Sequence, residues 1–410
     1  MAEHILSVLL HKRPIGTLVL LAGEQNLFAF DDVYIRALKR PTLSLSFKSL
    51  MGDLITDVKP TRTRLSPFFS NLLPEGPMRK YLAKRANVNE NREFLLLWVL
   101  GRDLPGAVSI QQLGSHDVLM QKHEDKKRID DKLKGALHFS LAGVQLKFSA
   151  VMEATGGLTI PVKGSGGSWI VKLPSTSFKA VPENEFAMMR LSGMIGINVP
   201  EIKLVPISNI SGLPDDMRAM KGNAFVIKRF DRNENGSAVH IEDFAQVFGI
   251  YPEKKYDRAN YRNIAEVILA ESGLDDIAEF VRRLVFNILI GNADMHLKNW
   301  SLMYSDCIQA ALAPAYDLLS TIPYIKDANT ALKLAKSKDM AGLSLDRLSY
   351  FAAKARLPQK LVLDTARETV EHFMEAWENG EYLNELPFVR DAIKEHLKTI
   401  TLVKELSQLF

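Results

Sequence analysis

The sequence predicts an α+β protein in which two β-rich stretches precede a mostly helical C-terminal half. Short runs of β-branched and aromatic residues, separated by Gly, Pro and Asn, occur in residues 4–50 and again in residues 139–230. From residue 245 to residue 410 the apolar residues recur mainly at helical spacing. We therefore expect a small N-terminal β-rich domain, a β-rich lobe and a mostly α-helical C-terminal lobe.

The composition is that of an ordinary globular protein. Hydrophobic residues make up 47% of the chain and charged residues 24%, and a net charge of +4 does not indicate autonomous nucleic-acid binding. Cys307 is the only cysteine, which excludes an internal disulfide and a cysteine-based zinc site and fits a reducing cytoplasm. No apolar run approaches the about 18 residues of a membrane helix. The basic residues follow the apolar run Ile5–Leu10, the wrong order for a signal peptide. The sequence therefore predicts a cytoplasmic protein.

The first domain, predicted for residues 1–125, combines a β-meander with helices. Gly, Pro and Asn mark the turns between its short β-rich runs, and Pro77 is placed to start a helix. Residues 114–134 are dense in charge and predict a solvated linker at a domain boundary rather than an interaction patch. The predicted strands are Ile5–Leu10, Thr17–Ala22, Leu27–Tyr34, Ser44–Phe47 and Ala107–Gln112, and the predicted helices are Met78–Ala86 and Asn91–Leu100.

Residues 135–230 are predicted to form the β-rich lobe, and residues 231–410 the helical lobe. A β-rich lobe followed by a helical lobe, with the chemistry between them, is the architecture of kinase-like enzymes. The predicted elements of the first lobe are strands Gln145–Met152, Leu158–Pro161, Trp169–Leu173, Glu201–Ile207 and Ala224–Phe230 and helix Glu183–Ile195; the strongest helices of the second are Leu274–Ile290, Ser344–Ala355, Pro358–Asn379 and Phe388–Leu409.

A polar loop after the predicted helix Leu274–Ile290 carries residues suited to phosphoryl transfer. Asp294 and Asn299 are five residues apart, the spacing of the base and the metal ligand in the D-x-x-x-x-N loop of protein kinases. A second carboxylate, Asp317, follows eighteen residues later. Phosphoryl transfer requires a group that orients the attacking hydroxyl and hard oxygen ligands for Mg²⁺. The loop therefore predicts Asp294 as the base and Asn299 and Asp317 as Mg²⁺ ligands, with an ordinary Gly-Asn turn as the alternative.

Other positions are candidates for binding ATP. In the polar loop, His296 is a candidate for contacting phosphate or ribose or for holding the loop, and Lys298 for neutralising the transferred phosphoryl group. Lys172 ends an apolar run as the strand lysine of kinases does, with Glu183 or Glu185 in the next helix as its carboxylate partner. The alternative is that Lys172 ends its strand by reaching into solvent.

Two further stretches have both a binding and a structural interpretation. Small residues in Ser140–Lys147 let backbone N–H groups approach phosphate oxygens, although an ordinary β-turn has the same composition. The segment Ile227–Arg232 is placed to act as a hinge that offers backbone groups to adenine. The alternative is that Arg229, Asp231 and Arg232 form structural ion pairs.

With these residues in order, the chain resembles the HipA family of serine/threonine kinases, the toxins of bacterial toxin–antitoxin pairs. The likeness covers nearly the whole chain, and the G-N-x-D-x-H-x-K-N loop followed by Y-D is its most specific part. The matching segments are FFSNLLPEGPMRKYL (68–82), LGRDLPGA (100–107), FSLAGVQLKFS (139–149), WIVKLPS (169–175), PENEFAMMRLSGMIGINVPE (182–201), FVIKRFDR (225–232), LIGNADMHLKNWS (289–301) and APAYDLLS (313–320).

The resemblance implies a two-lobed, protein-kinase-like fold with ATP and Mg²⁺ as cofactors. It implies Asp294 as the catalytic base, Asn299 and Asp317 as Mg²⁺ ligands, and Glu185 rather than Glu183 as the partner of Lys172. Ser140 falls at the autophosphorylation position of the family. The positions implied to contact ATP are Ala142, Gly143, Val144, Gln145, Leu146, Lys147, Lys172, Lys228, Arg229, Phe230, His296, Lys298, Asn299, Tyr316 and Asp317.

The resemblance also implies a partner and a substrate class. The partner would be a HipB-like helix-turn-helix antitoxin, with DNA contacted only through it, and the substrate a protein, in known cases an aminoacyl-tRNA synthetase. Lys228 stands where some relatives carry an acidic residue, and Leu146 replaces a more polar one, but no matched catalytic position is lost. The alternatives are a kinase-fold scaffold acting as antitoxin partner or co-repressor, and a kinase of small molecules or lipids.

Overall fold

The chain folds into an N-terminal α+β domain, a six-stranded sheet lobe and a helical lobe, which confirms the predicted α+β class. The computed structural model describes residues 2–113, 147–152, 158–161, 167–378, 380 and 383–407. Among these residues no helix is both long enough and apolar enough to cross a membrane.

The N-terminal domain is an antiparallel sheet of strand order β4-β3-β2-β1-β5 with helices packed beside it. Its core is aromatic, with Phe28, Phe68 and Phe69 in edge-on contact. The predicted strand Ser44–Phe47 is wrong: Leu45–Phe47 is a 3₁₀ turn, because the Ser44 hydroxyl caps it by accepting the Ser46 N–H at 3.1 Å. The elements are β1 (Ala2–Leu10), β2 (Arg13–Leu21), β3 (Gln25–Phe30), α1 (Asp32–Arg36), β4 (Thr61–Arg62), α2 (Pro67–Asn71), α3 (Gly76–Ala86), α4 (Glu93–Leu100) and β5 (Val108–Gln112).

The sheet lobe has strand order β10-β7-β6-β8-β11-β9 and one long helix, α5, packed against it. Phe225 and Ile227 of this sheet belong to the same buried core as α5 and the helical lobe. The two lobes therefore share one hydrophobic core. The elements are β6 (Lys147–Met152), β7 (Leu158–Thr159), β8 (Trp169–Lys172), α5 (Val181–Met194), β9 (Ile202–Pro206), β10 (Ile210–Ser211), α6 (Asp215–Arg218) and β11 (Asn223–Lys228).

The helical lobe is built around α9 (Leu274–Leu289), which packs against α11 (Gln359–Glu378) and ends at the polar loop. The predicted helix Phe388–Leu409 is two helices, since the chain turns at residues 398–400. Two small sheets, β12-β13-β14 and β15-β16, were not predicted. The remaining elements are β12 (His240–Asp243), α7 (Phe244–Val247), α8 (Tyr261–Glu271), β13 (Ser301–Tyr304), β14 (Ala311–Leu312), β15 (Asn329–Leu334), β16 (Ser337–Asp339), α10 (Leu345–Ala355), α12 (Pro387–Leu397) and α13 (Thr401–Ser407).

A buried ion network fixes the N-terminal domain to the end of strand β11. The Arg229 guanidinium donates to both carboxylate oxygens of Asp231 at 2.9 and 2.8 Å and to Asp103 of the N-terminal domain at 3.1 Å. Arg232 joins the same two carboxylates, and the Gly106 N–H donates to Asp231 at 2.8 Å. Burial alone would raise the pKa of Asp231, but the arginines outweigh it and lower the pKa to about 2. The network therefore stays ionised and holds the domain in one orientation on the sheet lobe.

A second buried contact, centred on Glu242 of β12, holds the N-terminal domain to the helical lobe. The Glu242 carboxylate accepts hydrogen bonds from the Ser44 hydroxyl at 2.5 Å, from the Leu45 N–H at 2.9 Å and from the Tyr304 hydroxyl. The residue is fully buried, and this burial raises the pKa of Glu242 to about 7 in spite of the three bonds.

Glu242→Gln is expected to remove a pH-dependent part of the free energy of unfolding. The folded-state pKa of Glu242 lies above its unfolded value of 4.5, so its contribution is complete below pH 4.5 and is lost as the pH rises through about 7. Wild type should therefore lose roughly 3 kcal/mol relative to the variant between about pH 4 and pH 8. Urea denaturation of both proteins across this range measures the difference. The buried His240 also titrates near pH 4, but its contribution is the same in both proteins and cancels from the difference. A difference that does not change with pH would contradict this account of Glu242.

Candidate functional site

The sheet lobe presents two lysines on one face. Lys147 of β6 and Lys172 of β8 are directly opposite each other in the antiparallel ladder, so their side chains share a face. The Lys172 ammonium donates to Glu185 of α5 at 2.5 Å and also to a carboxylate oxygen of Asp317. Burial alone would lower the pKa of Lys172, but the two carboxylates outweigh it and raise that pKa. Lys172 therefore stays charged and joins the sheet, helix α5 and the segment that carries Asp317.

The structure pairs Lys172 with Glu185, not with Glu183. Residues two apart on a helix face different directions, and here Glu185 is 1% exposed while Glu183 accepts a hydrogen bond from Asn223 at 3.1 Å. Burial raises the pKa of Glu185 to about 7, with the Lys172 ammonium opposing the shift. Burial also lowers the pKa of Lys147, while the Asp317 carboxylate raises it. The two lysines and two carboxylates thus form one electrostatically coupled group.

The polar loop that follows α9 is fixed by its own side chains. Gly291 has a φ of 66° and a Cβ there would lie 2.5 Å from Ile322, so glycine is required at this turn. The Asn292 side chain donates to α9 at 2.7 Å and accepts the Asp294 N–H at 3.0 Å. The Asn299 amide donates to the Asp294 carbonyl at 2.9 Å. The backbone at Asp294 is therefore held from both sides.

The Asp294 carboxylate is half exposed and, within the part of the chain that the structure describes, accepts one hydrogen bond. Its side chain is 51% exposed, and Oδ1 accepts the Tyr256 hydroxyl at 2.5 Å. Burial of its inner face raises the pKa of Asp294, with the Tyr256 hydrogen bond and Lys255 opposing. A fixed backbone and an accessible carboxylate are what a group that orients an incoming hydroxyl needs.

Asn299 and Asp317 line one small cavity beside the loop, together with Tyr316. Because the Asn299 nitrogen is committed to the Asp294 carbonyl, its side-chain oxygen is the atom left to bind a cation. Asp317 has a φ of 55°, a left-handed conformation that is strained for a non-glycine residue. Burial alone would raise the pKa of Asp317, but Lys172 and Lys147 outweigh it and hold that pKa well below its usual value. An anionic carboxylate and an amide oxygen fit Mg²⁺.

Lys298 does not lie where the sequence interpretation placed it. Its ammonium donates to the Asn71 carbonyl and side chain at 2.9 and 3.0 Å and lies 2.9 Å from an Asp243 oxygen and 3.6 Å from Glu75. The residue is buried. Its charge therefore ties the polar loop to the N-terminal domain, and the expectation that it neutralises a phosphoryl group is corrected.

His296 is buried beside the base, with Nε2 4.0 Å from an Asp294 carboxylate oxygen. Burial, assisted by the Lys255 charge, lowers the pKa of His296 to about 3. The imidazole is therefore neutral at physiological pH. Its ring lies edge-on to Tyr256 at 5.0 Å, which favours the loop-holding role over that of a phosphate-binding cation.

The hinge positions have different surroundings from one another. The Lys228 N–H donates to the Glu201 carbonyl and the Arg229 N–H to the Ser168 carbonyl, each at 2.8 Å. The Arg229 side chain is buried in the ion network described above, which is the structural alternative stated for Arg229, Asp231 and Arg232, and an adenine contact through hinge backbone groups stays a prediction. The Phe230 ring is half-buried and lies 5.7 Å from the Tyr316 ring, whose hydroxyl donates to the Lys298 carbonyl at 2.8 Å. Phe230 and Tyr316 form the aromatic edge of the site.

Ser140 and the expected phosphate-binding positions Ala142, Gly143, Val144, Gln145 and Leu146 lie outside the described residues. Their proposed roles stay predictions.

Three residues of the site were not found from the sequence. Tyr256 contacts Asp294, and the adjacent Lys255 bonds Glu75 of the N-terminal domain at 3.0 Å. Glu75 also approaches Lys298. These three residues lie far from the polar loop in the sequence, so neither periodicity nor spacing connects them with it. The pair of adjacent residues Lys255 and Tyr256, in a polar segment after Pro252, was the only available hint.

The site has the arrangement of kinase-like proteins: the sheet lobe carries a buried lysine–glutamate pair, and the helical lobe that follows carries an Asp-x₄-Asn loop and a second aspartate. Matches to family models identify the family within this class. The chain belongs to the HipA family: residues 139–377 match the HipA-like C-terminal domain, and residues 6–111 match the HipA N-terminal domain.

Individual relatives agree with this assignment. The chain is 55% identical to the putative kinase Y4dM of Sinorhizobium fredii over 410 residues, covering 98% of this chain and 99% of that protein. It is 26% identical to the serine/threonine-protein kinase toxin HipA of Shewanella oneidensis over 74% of each chain. A solved complex of the Shewanella oneidensis toxin–antitoxin proteins HipA and HipB with operator DNA has a similar fold, with a TM-score of 0.73, 22% identity and coverage of 98% of this chain and 99% of that one.

Proposed function

We propose that this protein is an ATP- and Mg²⁺-dependent serine/threonine protein kinase and the toxin of a toxin–antitoxin pair. The observation that carries the proposal is the buried contact of Lys172 with both Glu185 and Asp317. A strand lysine paired with a helix carboxylate is the arrangement that positions ATP phosphates in kinases. Similarity to a serine/threonine kinase toxin supports the activity and the biological class.

Seven residues of the site have a chemical task in this mechanism. Lys172 and Lys147 contact the ATP phosphates from one face of the sheet, and Phe230 and Tyr316 border the adenine side. Asp294 accepts a hydrogen bond from the acceptor hydroxyl and orients it towards the phosphoryl group. Asn299 and Asp317 would hold Mg²⁺, which neutralises phosphate charge when bound.

The acceptor is proposed from the family resemblance, and the partner is supported by the solved complex of HipA with HipB and operator DNA. We propose a protein acceptor connected with translation, an aminoacyl-tRNA synthetase, and a HipB-like helix-turn-helix antitoxin as partner. DNA is contacted indirectly, through the antitoxin. The modest net charge of +4 supports this, because a protein that binds DNA by itself normally carries a strongly basic surface.

Incubation of the purified protein with Mg²⁺ and ATP is expected to add one phosphate to Ser140. The attached phosphate carries a charge of about −1.5 to −2 two residues from Ala142, so it should also weaken ATP binding by repelling the nucleotide phosphates. Mass spectrometry locates the phosphate, and calorimetry compares ATP affinity before and after modification. Failure to bind ATP would instead favour a kinase-fold scaffold that acts as a co-repressor. ATP binding without modification would remove Ser140 from the mechanism and leave the kinase proposal standing.

A further inference from the structure

The Tyr256 hydroxyl lies on the candidate base, where an acceptor hydroxyl is expected. Its oxygen is 2.5 Å from Asp294 Oδ1, which is a charge-assisted O–H···O⁻ distance. Burial, together with the Asp294 charge, raises the pKa of the Tyr256 phenol, so it remains a donor. The carboxylate that should orient a substrate hydroxyl therefore already holds one from its own chain.

The backbone under Tyr256 is held, while its side chain is accessible. The preceding Lys255 is buried, donates to Glu75 at 3.0 Å, and accepts the Leu297 N–H through its carbonyl at 3.4 Å. Tyr256 itself is 37% exposed, and its ring touches His296 edge-on at 5.0 Å. The hydroxyl can thus leave Asp294 by rotation of the side chain alone, without moving the segment that carries it.

We propose that Tyr256 is a specificity-determining residue that keeps water off Oδ1 of Asp294 until a protein hydroxyl replaces it. This inference rests on the proposed kinase function. An exposed carboxylate beside bound ATP accepts a hydrogen bond from a water molecule as well as from a serine hydroxyl. In that wasteful reaction the water oxygen forms a bond to the γ-phosphorus, the bond to the bridging oxygen of ADP breaks, and the water proton passes to Asp294 and then to solvent. The Tyr256 hydroxyl occupies this position and suppresses the reaction.

Water and a protein hydroxyl both compete with the Tyr256 hydroxyl for the same oxygen of Asp294, and water leads to ATP hydrolysis while the protein hydroxyl leads to phosphate transfer. Water brings no contacts beyond its own hydrogen bonds, so nothing further offsets the loss of the Tyr256 hydrogen bond. A protein acceptor brings additional contacts from its surrounding chain, and these offset the lost Tyr256 bond. Tyr256 thereby favours a protein hydroxyl over water at Asp294, and it does not itself take part in phosphoryl transfer.

Tyr256→Phe tests this assignment because it removes the hydroxyl and keeps the ring beside His296. ATP hydrolysis without added acceptor should rise about threefold to tenfold, the factor that corresponds to one net hydrogen bond. The rate of phosphate incorporation into the chain itself should not fall. ADP release by a coupled assay and incorporated phosphate by mass spectrometry are measured on the same samples. Tyr350→Phe, a tyrosine of equal exposure (38%) in helix α10, is the matched control and should leave both rates unchanged.

Several outcomes would overturn the inference. Unchanged or lower hydrolysis in Tyr256→Phe would show that the hydroxyl does not exclude water. A parallel fall of hydrolysis and incorporation would make Tyr256 a positioning residue for the base. Phosphotyrosine at position 256 would make it an acceptor. Hydrolysis that survives Asp294→Asn in the Tyr256→Phe background would place the water elsewhere. Absence of ATP binding by calorimetry, in wild type and variant alike, is the separate result that would remove the kinase proposal itself.

Discussion

Asp294→Asn is expected to reduce phosphate transfer from ATP by about 10²- to 10⁴-fold, the range that a positioned acid or base contributes to catalysis. The amide keeps the shape of the side chain and one oxygen to accept the Tyr256 hydroxyl. It loses the negative charge that draws and orients the acceptor proton. The loop backbone should not move, because Asn292 and Asn299 hold it through main-chain atoms of residue 294. The loss should therefore fall on the transfer rate and not on folding.

The measurement is phosphate incorporation over time, with ATP affinity by calorimetry and the thermal midpoint as companions. ATP affinity and midpoint should match wild type, since Asp294 binds neither the adenine edge nor Lys172. Asp257→Asn provides the control, because that carboxylate is exposed and lies two positions from Lys255 in the sequence. It should transfer phosphate at the wild-type rate. Transfer by Asp294→Asn at more than half the wild-type rate would assign the role of base to another group.

The sequence predicted the parts of this site that are local in the chain. Asp294 and Asn299 share one loop after an amphipathic helix, so their five-residue spacing alone places them together. The strand Trp169–Leu173 was predicted from its apolar run and the helix Glu183–Ile195 from its helical spacing, and both lie within two residues of the observed bounds. The choice of Glu185 over Glu183 depends on which helix face meets the sheet, and it followed only from the family resemblance.

Contacts between distant segments were not predictable from one sequence. Lys298 lies in the predicted loop, yet its ammonium is buried against Asn71, which is 227 positions away. Arg229 likewise pairs with Asp103. Spacing rules describe neighbours in a helix or strand and contain no information about which surface of another domain will cover a residue. The role of the N-terminal domain in holding the polar loop is therefore a finding of the structure.

Lys172→Met is expected to abolish measurable ATP binding and to lower the free energy of unfolding by about 3–5 kcal/mol, the cost of leaving one partner of a buried ion pair alone. Lys172 is 5% exposed and Glu185 is 1% exposed, so solvent cannot replace the missing ammonium. Calorimetry with Mg²⁺ and ATP measures the first effect, and urea denaturation measures the second. Lys179→Met, which removes an exposed lysine that lies 4.1 Å from the Phe388 ring, should change stability by less than about 1 kcal/mol and keep ATP binding.

The stability loss and the binding loss have different causes, and a double variant separates them. Lys172→Met with Glu185→Gln removes the ammonium and its most buried partner and leaves Asp317, whose side chain is 28% exposed, so it should be more stable than the sum of the single effects by roughly 1–3 kcal/mol. ATP binding should stay lost, because no ammonium remains on β8 to meet the phosphates. If the double variant recovered ATP binding together with stability, Lys172 would be a structural residue only.

The pH dependence of Lys172→Met provides an independent check on the cause of its instability. Burial already raises the pKa of Glu185 to about 7 with the ammonium present, and removing the ammonium raises it further. A carboxyl group whose folded-state pKa exceeds its unfolded value of 4.5 contributes stability below that value and loses it as the pH rises. The Glu185 part of the deficit of Lys172→Met relative to wild type should therefore be absent near pH 5 and grow towards pH 8, on top of a constant part from the lost Asp317 contact, because Asp317 is already ionised at pH 5. The double variant carries an amide in place of that carboxyl group and should show no such growth, because the amide has no proton to lose in this pH range.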